Sequence, residues 1–270
     1  MAGASRDSLA QVKTEAEQAL STGGIELSEQ LFAALAVIDD NGSLRRSLTD
    51  PTWEPAKRRA LAAKVFGAHV SDATRQVLEA AVAARWSHER DLGDALEHLA
   101  VLAAAGAAER GGLDGLKNLV AELLGFRTAV ESSHDVQRAL TEQQAPASAR
   151  GDLAVRLLPA SASPEAQLLV RQATEHPRGA KPVDLVRRFA DVISDRQRRW
   201  IADVTVARPL DKAQLERLER GLSSAFGRDL TLNVNVDPEL VGGIRVQVGD
   251  DVVDSSIATR LNDLQRKMAG

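Results

Sequence analysis

From Ser5 to about Arg199 the apolar residues return at helical spacing, as they do in helices that bury one face. Leu9, Val12, Ala16 and Leu20 share one stripe, and Leu31, Leu35 and Ile38 another, before Asn41-Gly42-Ser43 interrupts the run. Pro55 stands where the first residue of a helix belongs, Leu61, Val65 and Phe66 follow it, and Gly67 supplies a stop. Val77, Leu78, Ala81 and Val82 form the next stripe, and Leu92, Leu96 and Leu99 the one after. Near Ile201 the period shortens to two. Val204 and Val206 predict a short strand closed by Arg208-Pro209, and Leu230, Leu232, Val234 and Val236 alternate with Thr231, Asn233 and Asn235 as a second. Between them, Asp211 and Gln214 have the spacing of a capping box ahead of a helix carrying Leu215, Leu218, Leu222 and Phe226, with Gly227 as its stop. Ile244 to Val248 and Val252-Val253 predict a hairpin around Gly249-Asp250-Asp251, and Ile257, Leu261, Leu264 and Met268 a final amphipathic helix.

The fold class expected from this pattern is mainly α, with helical bundles first and a small α+β C-terminal domain of short strands and two helices last. The helical order recurs about 92 positions later: Arg46-Ser47-Leu48-Thr49 lines up with Arg138-Ala139-Leu140-Thr141, Leu61-Ala62 with Leu153-Ala154, and Val77-Leu78 with Leu169-Val170, while Ser71 and Ser163 each precede a helix. Two explanations stay open, a duplicated helical unit and two Ala/Leu-rich bundles that match by composition. The expected layout is a first bundle over 1–105, a second over 106–200 and the α+β domain over 201–270, with Ala103 to Gly115 as the junction between bundles.

Composition narrows the chemistry. Aromatic residues make up 3% of the chain and Tyr is absent, so Ala, Leu and Val must do the packing, which suits closely approaching helices. Cysteine is absent, which removes disulfides and thiolate chemistry. A formal charge of −4 argues against binding dominated by nucleic-acid phosphates. No stretch is apolar enough over about 20 residues to span a bilayer, and the start MAGASRDSLAQVK lacks the apolar core of a signal peptide. A cytoplasmic chain is expected, with no direct membrane insertion.

Candidate chemistry is thin. Gly23-Gly24, Gly111-Gly112 and Gly242-Gly243 are not followed by the Lys and hydroxyl residue of a phosphate-cradling loop. His69, His88, His98, His134 and His176 form no metal-binding motif, and His88-Glu89-Arg90-Asp91 reads as a charged helix start. Asp250, Asp251 and Asp254 read as solvated turn carboxylates, with Asp254 placed to cap the last helix. Arg187, Arg188, Arg196, Arg198, Arg199 and Trp200 are the best case for a nucleic-acid surface, but Asp184, Asp191 and Asp195 interleave them as on a solvated helix face. Trp53, Trp86 and Trp200 are expected to be packing anchors. No catalytic, cofactor-binding or metal-binding residues are therefore expected, and no cofactor.

The most informative stretch is Asp237 to Ser256, where Pro238, Gly242, Gly243 and Gly249 mark constrained backbone and Leu240 is expected to be buried beside the glycine turn. Arg208-Pro209-Leu210, then Asp237, Leu240, Gly242, Gly243, Ile244, Val246, Val248 and Gly249, then Val252, Asp254, Ser256, Arg260 and Leu261 together carry a resemblance. From about Ile201 to Gly270 the chain resembles the C-terminal domain of the delta subunit of F-type ATP synthases, the family of the mitochondrial oligomycin-sensitivity-conferring protein. Two features depart from the family. Asp254-Ser255-Ser256 stands where Asp-Gly-Ser is common, and about 200 residues precede the domain where the family has a single bundle of about 100.

The resemblance implies a noncatalytic stator component, one copy per complex. Its helical bundle would bind N-terminal helices of alpha subunits on the catalytic head, and its C-terminal region the b subunits of the peripheral stalk. It also implies a peripheral position on the cytoplasmic face of the cell membrane, held through the complex. The alternative is a generic helical-repeat interaction adaptor unrelated to ATP synthase, motivated by the 92-residue recurrence in pairs such as Ser71 and Ser163.

Overall fold

The computed structural model describes residues 3–142, 144–198, 201–226, 230–237, 240, 243–248 and 251–254. The expected stop at Gly227, the turn residues Pro238, Gly242, Gly249 and Asp250, the Ser255-Ser256 pair and the final helix from Ile257 to Met268 lie outside the described residues. The fold class is mainly α with a small α+β C-terminal domain. The chain divides into two compact units, Met1–Ile193 and Ser194–Gly270.

In the first unit, α1 (Ala4–Glu15) and α2 (Glu17–Thr22) lead into α3 (Gly24–Asp40), α4 (Gly42–Thr49), α5 (Pro55–Phe66), α6 (Asp72–Ala83) and α7 (Glu89–Ala108). A 3-10 turn (Glu109–Gly111) connects α7 to α8 (Gly112–Glu131), followed by α9 (His134–Thr141), α10 (Ala147–Arg156), α11 (Pro164–Glu175) and α12 (Pro182–Arg198). The expected stripes are the buried faces: Leu31, Leu35, Ile38, Val77, Leu78, Ala81, Val82, Leu92, Leu96 and Leu99 are all buried. Pro55 opens α5 and Gly67 follows its last residue. The buried row of α5 differs from the expected one, because Arg58, Ala62 and Phe66 point inward. Arg58 is tolerated there because its guanidinium donates to the carbonyls of Ala83 (3.0 Å) and Ala84 (2.8 Å), closing the end of α6.

Positions 92 apart carry matching local chemistry. The side chain of Asn41 accepts from the Leu44 N–H at the start of α4, and Ser133 from the Val136 N–H at the start of α9. Ser71 caps α6 and Ser163 caps α11 in the same way. Each capping serine is itself held from another helix: the Ser71 N–H donates to Gln30 Oε1 (2.8 Å) and the Ser163 N–H to Glu122 Oε1 (3.0 Å). Near the helix ends, Thr49 donates back to the Arg45 carbonyl and Thr141 to the Gln137 carbonyl, both at 2.9 Å. These pairs match in position and in hydrogen-bonding role, although Asn41 and Ser133, and Gln30 and Glu122, differ in residue type.

Between the two series runs α7, which packs against α1, α2, α3, α4, α6, α8 and α11. From Leu99 through Ala107 every residue of it is buried, and most are alanine. Small side chains let several helices approach one axis closely, so the alanine content forecast from composition is spent at the centre of the unit. Gly106 lies inside α7, and Gly111 and Gly112 lie in the turn that follows. Gly106 does not break the helix because it meets the Leu20 carbonyl, where a larger residue would collide.

The second unit contains β1 (Ile201–Val206), α13 (Lys212–Phe226), β2 (Thr231–Val236), β3 (Ile244–Val248) and β4 (Asp251–Asp254) in one sheet of order β2-β1-β3-β4. β1 and β2 are parallel, as a β-α-β crossover requires, and β3 pairs antiparallel with both β1 and β4. The expected capping box is present: the Asp211 N–H donates to Gln214 Oε1 (2.9 Å) and the Gln214 N–H to Asp211 Oδ1 (2.8 Å). Ala202, Val204, Val206, Leu230, Val246 and Val248 form the core, with Leu210, Leu218, Leu222 and Phe226 packed against it. Gly243 has φ of 87°, a left-handed conformation that favours glycine, as expected from the paired-glycine turn. Leu240 is only half-buried, a correction to the buried position expected for it.

Candidate functional site

The histidines of the chain are spread over separate elements. Among the described residues no group of three or more His, Cys, Asp or Glu is placed to hold a metal. His69, His88, His134 and His176 are exposed on separate elements, and His98 is half-buried within α7. The His88 to Asp91 segment opens α7, and its chemistry is that of a helix start. The His88 N–H donates to Asp91 Oδ2 (3.1 Å), and Ser5 Oγ of α1 donates to the same oxygen at 2.6 Å. Ser5 in turn accepts from the Ser87 N–H at 2.8 Å, so a buried serine ties α1 to the start of α7.

Burial alone would raise the Asp91 carboxyl, but hydrogen bonds from Ser5 and from the His88 N–H and imidazole outweigh it and hold the group below its ordinary value. A depressed acid contributes stability that is present above its unfolded value and lost as pH falls through the folded one. Replacing Asp91 with alanine should cost about 1–2 kcal/mol at neutral pH, as for a lost cap with an orphaned donor. The gap between variant and wild type should close in urea titrations taken to increasingly acid pH. A gap that persisted when the carboxyl was protonated would remove this role from Asp91.

The other singled-out residues resolve into surface and packing. Arg187 and Arg188 are exposed on α12 beside the equally exposed Asp184 and Asp191, and Arg196 is half-buried. The side chains of residues 197–200, including Arg198, Arg199 and Trp200, lie outside the described ones. Trp86 is buried and donates from Nε1 to the Ala81 carbonyl (2.8 Å). Trp53 is half-buried under the Lys57 ammonium, 3.7 Å from its ring centre. Asp251 and Asp254 sit on β4 opposite Val248 and Arg245.

What remains are surfaces. The sheet turns Ala202, Val204 and Val206 toward its core and sets Asp203, Thr205, Asn233, Asn235, Arg245 and Gln247 on the other face, where Asn233 Nδ2 donates to Asp203 Oδ1 (2.7 Å). In the helical unit an open groove of about 520 Å³ runs between α3, the start of α7 and the end of α11, with Asp39, Asp40, Arg45 and Arg90 along it. Leu124 on α8 and Val37 on α3 are large apolar side chains left exposed. No described helix is long and apolar enough to cross a membrane. Sequence reasoning missed Gln30, Arg58, Glu122 and Arg178, each polar, partly or wholly buried, and joined to residues distant in the chain.

The family described as ATP synthase delta (OSCP) subunit matches residues 99–268. The ATP synthase subunit delta of Arthrobacter sp. (strain FB24) is 46% identical over 100% of both chains. That of Renibacterium salmoninarum is 46% identical over 100% of both, and that of Streptomyces coelicolor is 37% identical over 100% of this chain and 98% of its own. The family match begins within α7, whereas these relatives extend over the earlier helices as well.

Proposed function

We propose that this chain, which belongs to the ATP synthase delta (OSCP) subunit family, is a noncatalytic stator subunit of an F-type, proton-translocating ATP synthase. It links the catalytic head, through N-terminal helices of the alpha subunits, to the b subunits of the peripheral stalk, and it resists rotor torque during ATP synthesis. Family membership over the whole α+β domain is the observation that carries this reading. Helix-in-groove recognition suits the helical part, and two separate contacts on one chain raise the effective concentration of each. The protein is held at the cytoplasmic face of the cell membrane through the complex, one copy in each.

The layout we propose is a first bundle over 1–105, a second over 106–200 and the stalk-facing domain over 201–270, the two bundles being copies of one unit. The matching caps and their matching anchors, Gln30 for Ser71 and Glu122 for Ser163, support duplication over shared composition. On this reading α7 closes the first copy with its leading turns and opens the second with its trailing ones, in keeping with a family match that starts at residue 99. Pull-down of the purified chain against isolated alpha and b subunits tests the function. Retention of both is the expected result, and binding to neither refutes the role.

A further inference from the structure

We propose that Arg178 is a clamp that fixes the loop between α11 and α12 onto α3 and α7, making the helical unit a single stiff body. Its backbone is the first indication. Arg178 has φ of 50°, the one left-handed residue other than glycine among those described, and Gly179 follows at 81°. A side chain that could lie free in solvent would not hold its backbone there without compensation.

The compensation is in the guanidinium, whose side chain is only 11% exposed. Nε donates to Asp39 Oδ2 of α3 at 2.6 Å, and Nη1 donates to Asp94 Oδ1 of α7 at 2.9 Å and lies 3.5 Å from Glu97 Oε2. The Arg178 carbonyl accepts from Arg90 Nη2 (2.9 Å), so the loop is held by its main chain as well. A planar fork can satisfy carboxylates on two helices at once, which a lysine ammonium cannot do with fixed geometry. Room for the fork comes from Gly93: a methyl group there would collide with Arg178 Nη2 and crowd Asp39 Oδ1 and Leu35 Cδ1, each at 3.3 Å. If the guanidinium left, the three carboxylates, with Glu97 largely buried, would lose the one cation that touches them all, leaving Arg90 3.6 Å from Asp94 and the charge of Arg188 acting on Glu97.

One fastening permits rotation about itself, so the clamp acts together with the packing of α11 on α3, α7 and α8. Phe189 of α12 meets Phe32 of α3 with ring centres 6.3 Å apart, giving a second contact between the same parts. The charged clamp, the aromatic contact and this packing together resist twisting as well as separation. This inference holds whether or not the stator role does, because its test reads the isolated chain.

The absence of cysteine allows spin labels to be placed cleanly at Ala63→Cys on α5 and Ala149→Cys on α10, both exposed. Pulsed electron resonance then gives the distribution of distances between them. Arg178→Gly deletes the fork while easing the left-handed backbone, and Gly93→Ala leaves every charge in place but removes the space for it. Both should broaden the distribution relative to the unsubstituted background, with far-ultraviolet circular dichroism showing helical content retained. Gly93→Ala decides the matter if Arg178→Gly loses its helical signal. Distributions as narrow as the background in folded variants would overturn the clamp.

Discussion

Replacing Gly106 with alanine is expected to destabilise the helical unit by about 2–3 kcal/mol, although alanine is the better helix former by about 1 kcal/mol. The reason is where α7 meets α2. The added methyl would collide with the Leu20 carbonyl oxygen and lie 3.2 Å from the Leu20 carbonyl carbon. Both atoms are main chain, so no rotamer change relieves the contact, and the helices must separate. The same substitution at Gly125, in the interior of α8, is expected to act in the opposite direction. Nothing lies within 4 Å of a methyl there, so propensity decides and stability should rise by about 0.5–1 kcal/mol. Urea unfolding of both variants checks the pair. Stabilisation by Gly106→Ala would mean that α2 does not approach α7 as described.

The second large effect is expected at Glu122. Its carboxylate accepts from both the N–H and the hydroxyl of Ser163, the residue that caps α11. Glu122→Ala leaves those donors to solvent or to nothing, at a cost of about 2 kcal/mol given a charged acceptor in a part-buried place. Gln30→Ala should cost somewhat less, about 1–2 kcal/mol, because the acceptor that holds Ser71 and Thr74 is neutral. A double-mutant cycle between Glu122→Ala and Ser163→Ala isolates the hydroxyl part of the interaction, because the Ser163 N–H bond survives in alanine, and strict additivity of the two would show that the hydroxyl bond carries no energy.

Such pairs mark the limit of what the chain shows before it is folded. Ser71 and Ser163 are legible as helix starts, because capping acts within a few residues and leaves a local pattern. Their anchors are not, since Gln30 and Glu122 each reach 41 positions along the chain and nothing in their neighbours signals it. The strands were legible from alternation, and the left-handed turn at Gly243 from the paired glycines. Gly106 illustrates the converse. A glycine in an alanine-rich run reads as a break, yet close packing against Leu20 keeps it inside a helix. For Arg178, Pro177 and Gly179 suggest a turn, but the acids that hold it stand 139, 84 and 81 positions away. Of the proposed function, the residues of the last unit carried the family resemblance, because the constrained turn and strand register leave fixed spacings. The helical part left few, since many alanine and leucine arrangements satisfy one buried face.

The continuous burial of Leu99 through Ala107 in α7 also governs how this region can change over generations. Leu99 through Ala107 is filled mainly by small residues, all of them buried, and at Gly106 even a methyl group would meet the backbone of a neighbouring helix. Compensation would have to arise in several helices at once, so single accepted changes there should be confined to the smallest side chains. Sequence drift in this protein is thereby channelled outward, to the solvent faces of the surrounding helices, where surfaces for new partners can be altered without disturbing the centre.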